Sequence, residues 1–145
     1  MIKVEFHSGV SSKSSHVIRL LRKAMAKRMR VAVTGDVASL KQLDADLWTT
    51  TLGDFVPHVC LTGGETLDSR WHRTPIWLVE DPAAAVHCNV LVNMGHAMHM
   101  PLPTYERLID VVATEPADRD AGALRWRHYK SMPVELSNHP IGATS

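Results

Sequence analysis

Arg30-Val31-Ala32-Val33-Thr34-Gly35-Asp36 is a short β-rich run closed by a Gly-Asp turn, and a stretch of helical period lies on each side of it. Upstream, Val17, Leu20, Leu21, Ala24 and Met25 recur at helical spacing, with cations on the opposite face. Ser12, Ser14 and Ser15 supply candidates for the N-cap of that helix. Further back, Ile2, Val4 and Phe6 alternate with Lys3 and Glu5, the period of a half-buried strand. Downstream, Leu40, Leu43, Leu47 and Trp48 keep the helical period until Thr49 to Asp54 breaks it. Strand, helix, strand and helix in this order predict an α/β domain with a mainly parallel sheet.

The second half is less regular. Phe55 to Leu61 reads as an edge-like extended segment, because Pro57 has no N–H for a central ladder. Gly63-Gly64 opens a loop that runs to about Thr74. Ile76 to Val79 and Val90 to Val92 read as two apolar strands, with an Asp81-Pro82 turn between them. Leu108 to Ala113 is β-branched and predicts another strand. A final helix is expected from Asp118 to Met132, stopped before Pro133. Gly122 weakens that helix by about 1 kcal/mol relative to alanine. The folded domain is expected over residues 1–135, with 136–145 as a loosely held tail.

A chain of 145 residues fits one domain. Its 45% apolar and 21% charged content is that of an ordinary globular domain. The net charge of +1 makes any cationic function a local matter. Lys13, Arg19, Arg22, Lys23, Lys27, Arg28 and Arg30 cluster in the first third, and Arg119, Arg125, Arg127 and Lys130 near the end. Two cysteines, Cys60 and Cys88, are too few for a disulfide framework. Lys3 and Glu5 interrupt any signal-like apolar run, and no stretch is long enough to cross a bilayer. A reduced, cytoplasmic protein without membrane contact is the expectation.

An α/β sheet invites a nucleotide, but His7-Ser8-Gly9-Val10 is neither a dinucleotide fingerprint nor a lysine-bearing phosphate loop. No cofactor is therefore expected. His96 and His99 have helical spacing, yet no strong metal signature accompanies them, and Cys60 and Cys88 lack close ligand partners. No serine sits in a nucleophile elbow, and Asp44 and Asp46 diverge on their helix. No residue is assigned to catalysis or to a metal. Trp48 and Phe55 lie at element boundaries, where each is either core or half of an aromatic hot spot for a protein partner. Arg125-Trp126-Arg127-His128-Tyr129-Lys130 combines two aromatics with three permanent cations. On a helix, such a face offers an apolar anchor beside forked donors for a carboxylate or phosphate. The alternative is that Trp126 and Tyr129 are core and the cations form a solvated rim.

Seven segments in series resemble the chi subunit of bacterial DNA polymerase III. They are RVAVTGD at Arg30–Asp36, LDADLW at Leu43–Trp48, FVPH at Phe55–His58 and RTPIWL at Arg73–Leu78. VLVNMG at Val90–Gly95, ERLIDVV at Glu106–Val112 and RWRHYK at Arg125–Lys130 complete the series. The resemblance implies a single-domain Rossmann-like three-layer fold with no nucleotide site. It also implies an accessory, non-catalytic role in DNA replication. In the family, chi joins the clamp-loader assembly through the psi subunit and grips the C-terminal tail of single-stranded-DNA-binding protein. That tail is acidic and ends in a phenylalanine carboxylate. By this resemblance Arg119, Arg125, Trp126, Arg127 and Lys130 are expected at the tail site. Trp48 and Phe55 are expected to face psi or an equivalent clamp-loader or helicase partner. Ala123 departs from the family, which commonly carries there an arginine that helps hold the tail.

Two other readings compete. Direct nucleic-acid binding would use the basic face of the first helix, which lacks the exposed aromatics that stack bases. A small-ligand α/β enzyme would need groups converging from distant positions. Contact with DNA is otherwise expected to be indirect, through the tail-bearing partner.

Overall fold

The structure, a computed structural model, describes residues 2–49, 57–61, 74–85, 87–95 and 105–141. The elements in chain order are β1 (Lys3–Val10), α1 (Lys13–Ala26), β2 (Val31–Thr34), α2 (Val37–Thr49), β3 (His58–Leu61) and β4 (Ile76–Val79). A short 3-10 turn at Pro82–Ala84 follows, then β5 (Val90–Asn93), β6 (Arg107–Ala113), α3 (Pro116–Lys130) and β7 (Glu135–Pro140). The seven strands form one sheet in the order β3-β4-β2-β5-β6-β1-β7. Every neighbouring pair is parallel.

The central strands read VAVT, IWLV and VLVN, and every residue in them is buried. Continuous apolar runs are what a parallel sheet covered on both faces requires. Val31 and Val33 pack on one face with Leu21 of α1 and Leu40, Leu43 and Leu47 of α2. Ala32 and Leu91 face the other way, toward Tyr129 and Trp126 of α3. The chain travels from β1 toward β3 beneath α1 and α2, and from β6 out to β7 beneath α3. Opposite directions on opposite faces are the outcome of one crossover hand. The result is the Rossmann-like three-layer arrangement expected from the sequence.

β3 is an outer strand, as Pro57 implied. Residues 136–145 were expected as a loose tail, and here the structure differs. β7 runs along β1 from Lys3↔Glu135 to Ser8↔Pro140. Its side chains are mostly exposed, because it forms the sheet's other outer strand. A polar sequence satisfies such a position, so no apolar alternation announced it. Pro140 ends the strand, where a missing donor costs least.

Candidate partner-binding site

α3 is seated on the sheet by three features. Gly122 faces β6 so closely that an added Cβ would lie 2.9 Å from both methyl groups of Val112. Glycine is thus required by approach, despite its poor helix propensity. Arg125 is buried and gives Nε and Nη2 to the two oxygens of Asp110, at 2.8 and 2.9 Å. Asn93 adds a third donor to that carboxylate at 3.3 Å. Burial pushes the Asp110 carboxyl up while the Arg125 donors oppose it. Finally, Asp118 in the first turn accepts from the Ala113 amide at 2.7 Å and from Lys13 Nζ at 2.6 Å. Lys13 also donates to the Met94 carbonyl, which ties the N-terminal ends of α1 and α3 to the ends of β5 and β6.

A cavity of about 530 Å³ opens where α3 leaves the sheet. It lies at the C-terminal ends of β1, β6 and β7, the edge at which parallel α/β sheets bind ligands. Phe6 and Trp126 form its apolar wall, with their rings 5.1 Å apart and edge-to-face at 83°. Val112, Gly122 and Ala123 line the base, and Arg119 brings a guanidinium to the rim. Opposite stand Ser8, Gly9 and Asn138, with Ser8 Oγ donating to Asn138 Oδ1 at 2.9 Å. β1 makes room by bulging. From His7 to Val10 it advances three residues while β6 advances two, from Val111 to Ala113. Gly9 takes a φ of 69°, which a side chain would strain.

The structure therefore brings Arg119 and Trp126 together on one cavity, with Ala123 between them. On α3 these three fall at i, i+4 and i+7, one continuous stripe. Arg127 and Lys130 are exposed on the same helix but outside the cavity lining. Arg125 does not join the exposed cations, which corrects its expected place in the site. It points one turn-face away, with Gly122 and Tyr129, and is committed to Asp110. Tyr129 is fully buried, and Trp126 is partly so. The wall contributed by Phe6, Ser8, Gly9 and Asn138 was not foreseen. Phe6 read as one position of a half-buried strand, Ser8-Gly9 as part of a run without a phosphate-binding motif, and Asn138 as tail.

At the far edge of the molecule Trp48 is 60% exposed at the end of α2. Its ring lies 5.1 Å from His58 of β3, and His58 Nε2 lies 2.7 Å from Asp44 Oδ1. Phe55, His96 and His99 lie outside the described residues. Among the described residues no group of three or more His, Cys, Asp or Glu is placed to hold a metal. None of the described helices is long and apolar enough to cross a membrane.

A family model described as DNA polymerase III chi subunit, HolC, matches residues 1–137. The DNA polymerase III subunit chi of Pseudomonas aeruginosa is 26% identical over 146 aligned positions. That alignment covers 97% of this chain and 98% of the relative. Among solved structures, the C-terminal domain of a Saccharomyces cerevisiae Dbp5 variant, bound to Gle1 and IP6, superposes with a TM-score of 0.60. It covers 97% of this chain and 90% of that one at 11% identity, a likeness of fold alone.

Proposed function

The chain belongs to the DNA polymerase III chi subunit family, and on that premise we propose that its α3 cavity captures the acidic C-terminal tail of single-stranded-DNA-binding protein. As a chi subunit it is an accessory part of DNA polymerase III and serves DNA replication. The proposed role is that of an adaptor with no chemistry of its own. The cavity holds the tail, and the Trp48 edge meets a psi-like or helicase partner of the clamp-loader assembly.

The observation that carries the reading is Arg119 at the rim of a hollow walled by Phe6 and Trp126. A chain ending in phenylalanine brings an aromatic ring and a terminal carboxylate to one point. Burying the ring contributes about 1.5–3 kcal/mol. A charge-assisted bond from Arg119 adds about 1.5–3 kcal/mol. Upstream acids meeting Arg127 and Lys130 add about 0.2–1 kcal/mol each, since both cations are exposed. Ordering a flexible tail opposes these gains, and the balance corresponds to dissociation constants on the order of micromolar. With Ala123 in place, Arg119 is the one cation among the described residues that line the cavity, so the terminal carboxylate depends on it.

The two surfaces can act together. The cavity is built on β1, and the Trp48 edge adjoins β3, five strands away in the sheet order. At about 4.8 Å per strand the two lie roughly 24 Å apart. Calorimetry with a tail peptide ending in phenylalanine tests the capture. Arg119→Glu and Trp126→Ala should each weaken binding by about tenfold or more, while a Trp48→Ala variant binds as the wild type does. Equal affinity for all four proteins would remove the cavity from the account.

A further inference from the structure

The opposite face of the sheet carries a second hollow, of about 200 Å³, near the N-terminal ends of the strands. Leu21 and Ala24 of α1 roof it, and Val31, Val90 and Val92 form its floor. All five are buried, so the interior is mostly aliphatic, with the His7 ring of β1 as its one polar side chain among the described lining residues apart from the cations. The mouth is cationic. Lys23 stands in the last turn of α1, Lys27 is the C-cap four residues on, and Arg107 begins β6. Both lysines are exposed, and neither ammonium group has a carboxylate partner among the described residues. Arg107 gives Nε and Nη2 to a single oxygen of Glu5, at 3.0 and 2.6 Å. That leaves other guanidinium donors, and two uncompensated positive charges at the mouth.

Size and polarity define what fits. A dry apolar cavity of about 150 Å³ holds benzene, so this one takes a single ring of that size. A nucleobase would bury most of its polar edge against valine and leucine, at a cost a phenyl ring avoids. Among the described residues, no Phe, Tyr or Trp lines the mouth for a base to stack on. An inorganic anion would leave the hollow empty, and the C-terminal end of α1 disfavours negative charge by itself. Ring and carboxylates are therefore needed together.

We propose that this hollow is a second docking site for an acidic peptide segment, with one aromatic side chain filling it and flanking carboxylates meeting Lys23, Lys27 and Arg107. It lies on the α1 face, whereas the first cavity lies on the α3 face, and it shares no lining residue with it. The chain then presents two acid-and-ring receptors on opposite sides of one sheet. A partner displaying several acidic ends would be held by two of them, which raises avidity without any new contact.

The test uses the full chain and an aspartate-rich peptide ending in phenylalanine, titrated by calorimetry. The wild type should show two sites. Lys23→Glu with Lys27→Glu should weaken one of them by about tenfold or more and leave the other unchanged. Arg119→Glu should do the reverse, and the same peptide ending in alanine should bind neither. A one-site isotherm that the lysine pair leaves untouched overturns the proposal. So does a single-stranded oligonucleotide that displaces the peptide from the Lys23 and Lys27 site, since the ligand would then be nucleic acid. A wild-type isotherm with a single site, weakened by the lysine pair and untouched by Arg119→Glu, would count against the tail-capture reading alone.

Discussion

Arg125 and Arg127 are two residues apart and have opposite fates. Arg127 is exposed, while Arg125 is buried in a two-pronged pair with Asp110. Removing one member of a buried pair leaves an uncompensated charge, at about 3–5 kcal/mol. Arg125→Ala should therefore lower the melting temperature sharply, and Arg127→Ala should leave it within experimental scatter. Equal melting curves would mean the Asp110 pair does not fix α3. Gly122 makes a second case. Alanine there gains about 1 kcal/mol of helix propensity but overpacks Val112, at about 1–3 kcal/mol. Gly122→Ala should be net destabilising by thermal melting and should weaken tail binding, because α3 must lift from β6. A stabilised variant would contradict the close contact. The composition of Arg125 to Lys130 was legible in the sequence, but not which cation turned inward. That choice depends on Asp110, fifteen positions away and on another element.

At the level of elements, β1, α1 and β7 meet through histidines. His7 Nδ1 and His16 Nε2 lie 2.8 Å apart, and the His139 ring is 5.7 Å from His7. Burial, then the neighbouring His16, holds His7 at about 4, well below its usual 6.5. Burial, then Arg19 and Lys23, lowers His16 as well. Glu5 pulls His7 the other way, and His139 and Arg107 add to the lowering. The folded chain thus keeps these imidazoles neutral where the unfolded chain protonates them. Their contribution to stability is fully present above pH 6.5 and is lost as the pH falls toward about 4. Melting temperature should decline across that window, and His7→Phe should flatten the decline. An unchanged slope in the variant would place the pH dependence elsewhere. The alternation of strands and helices was readable in the first half because each element repeats its own period. β7 was not readable, because an outer strand exposes polar residues and looks like a tail. The cavity inherits that blindness, since Asn138 on β7 forms part of its wall.

Across the whole molecule, one parallel sheet separates two kinds of surface. The α3 side carries the larger cavity at the strands' C-terminal ends, and the distant α2 edge carries exposed Trp48. Under the proposed adaptor role, that separation would let a tail and a second partner be held at once. Binding that relies on one rim guanidinium should also weaken as salt rises. In the proposed role, the pocket walled by Phe6 and Trp126 seizes a phenylalanine-ended acidic tail. Two-dimensional NMR of the nitrogen-15-labelled chain, titrated with that peptide, measures it most directly. The Trp126 indole N–H and the amides of Gly9, Val112, Ala123 and Asn138 should shift together, with one affinity, while the Trp48 indole stays in place. Saturable shifts centred on Trp48, with the Trp126 signal unmoved, would contradict it.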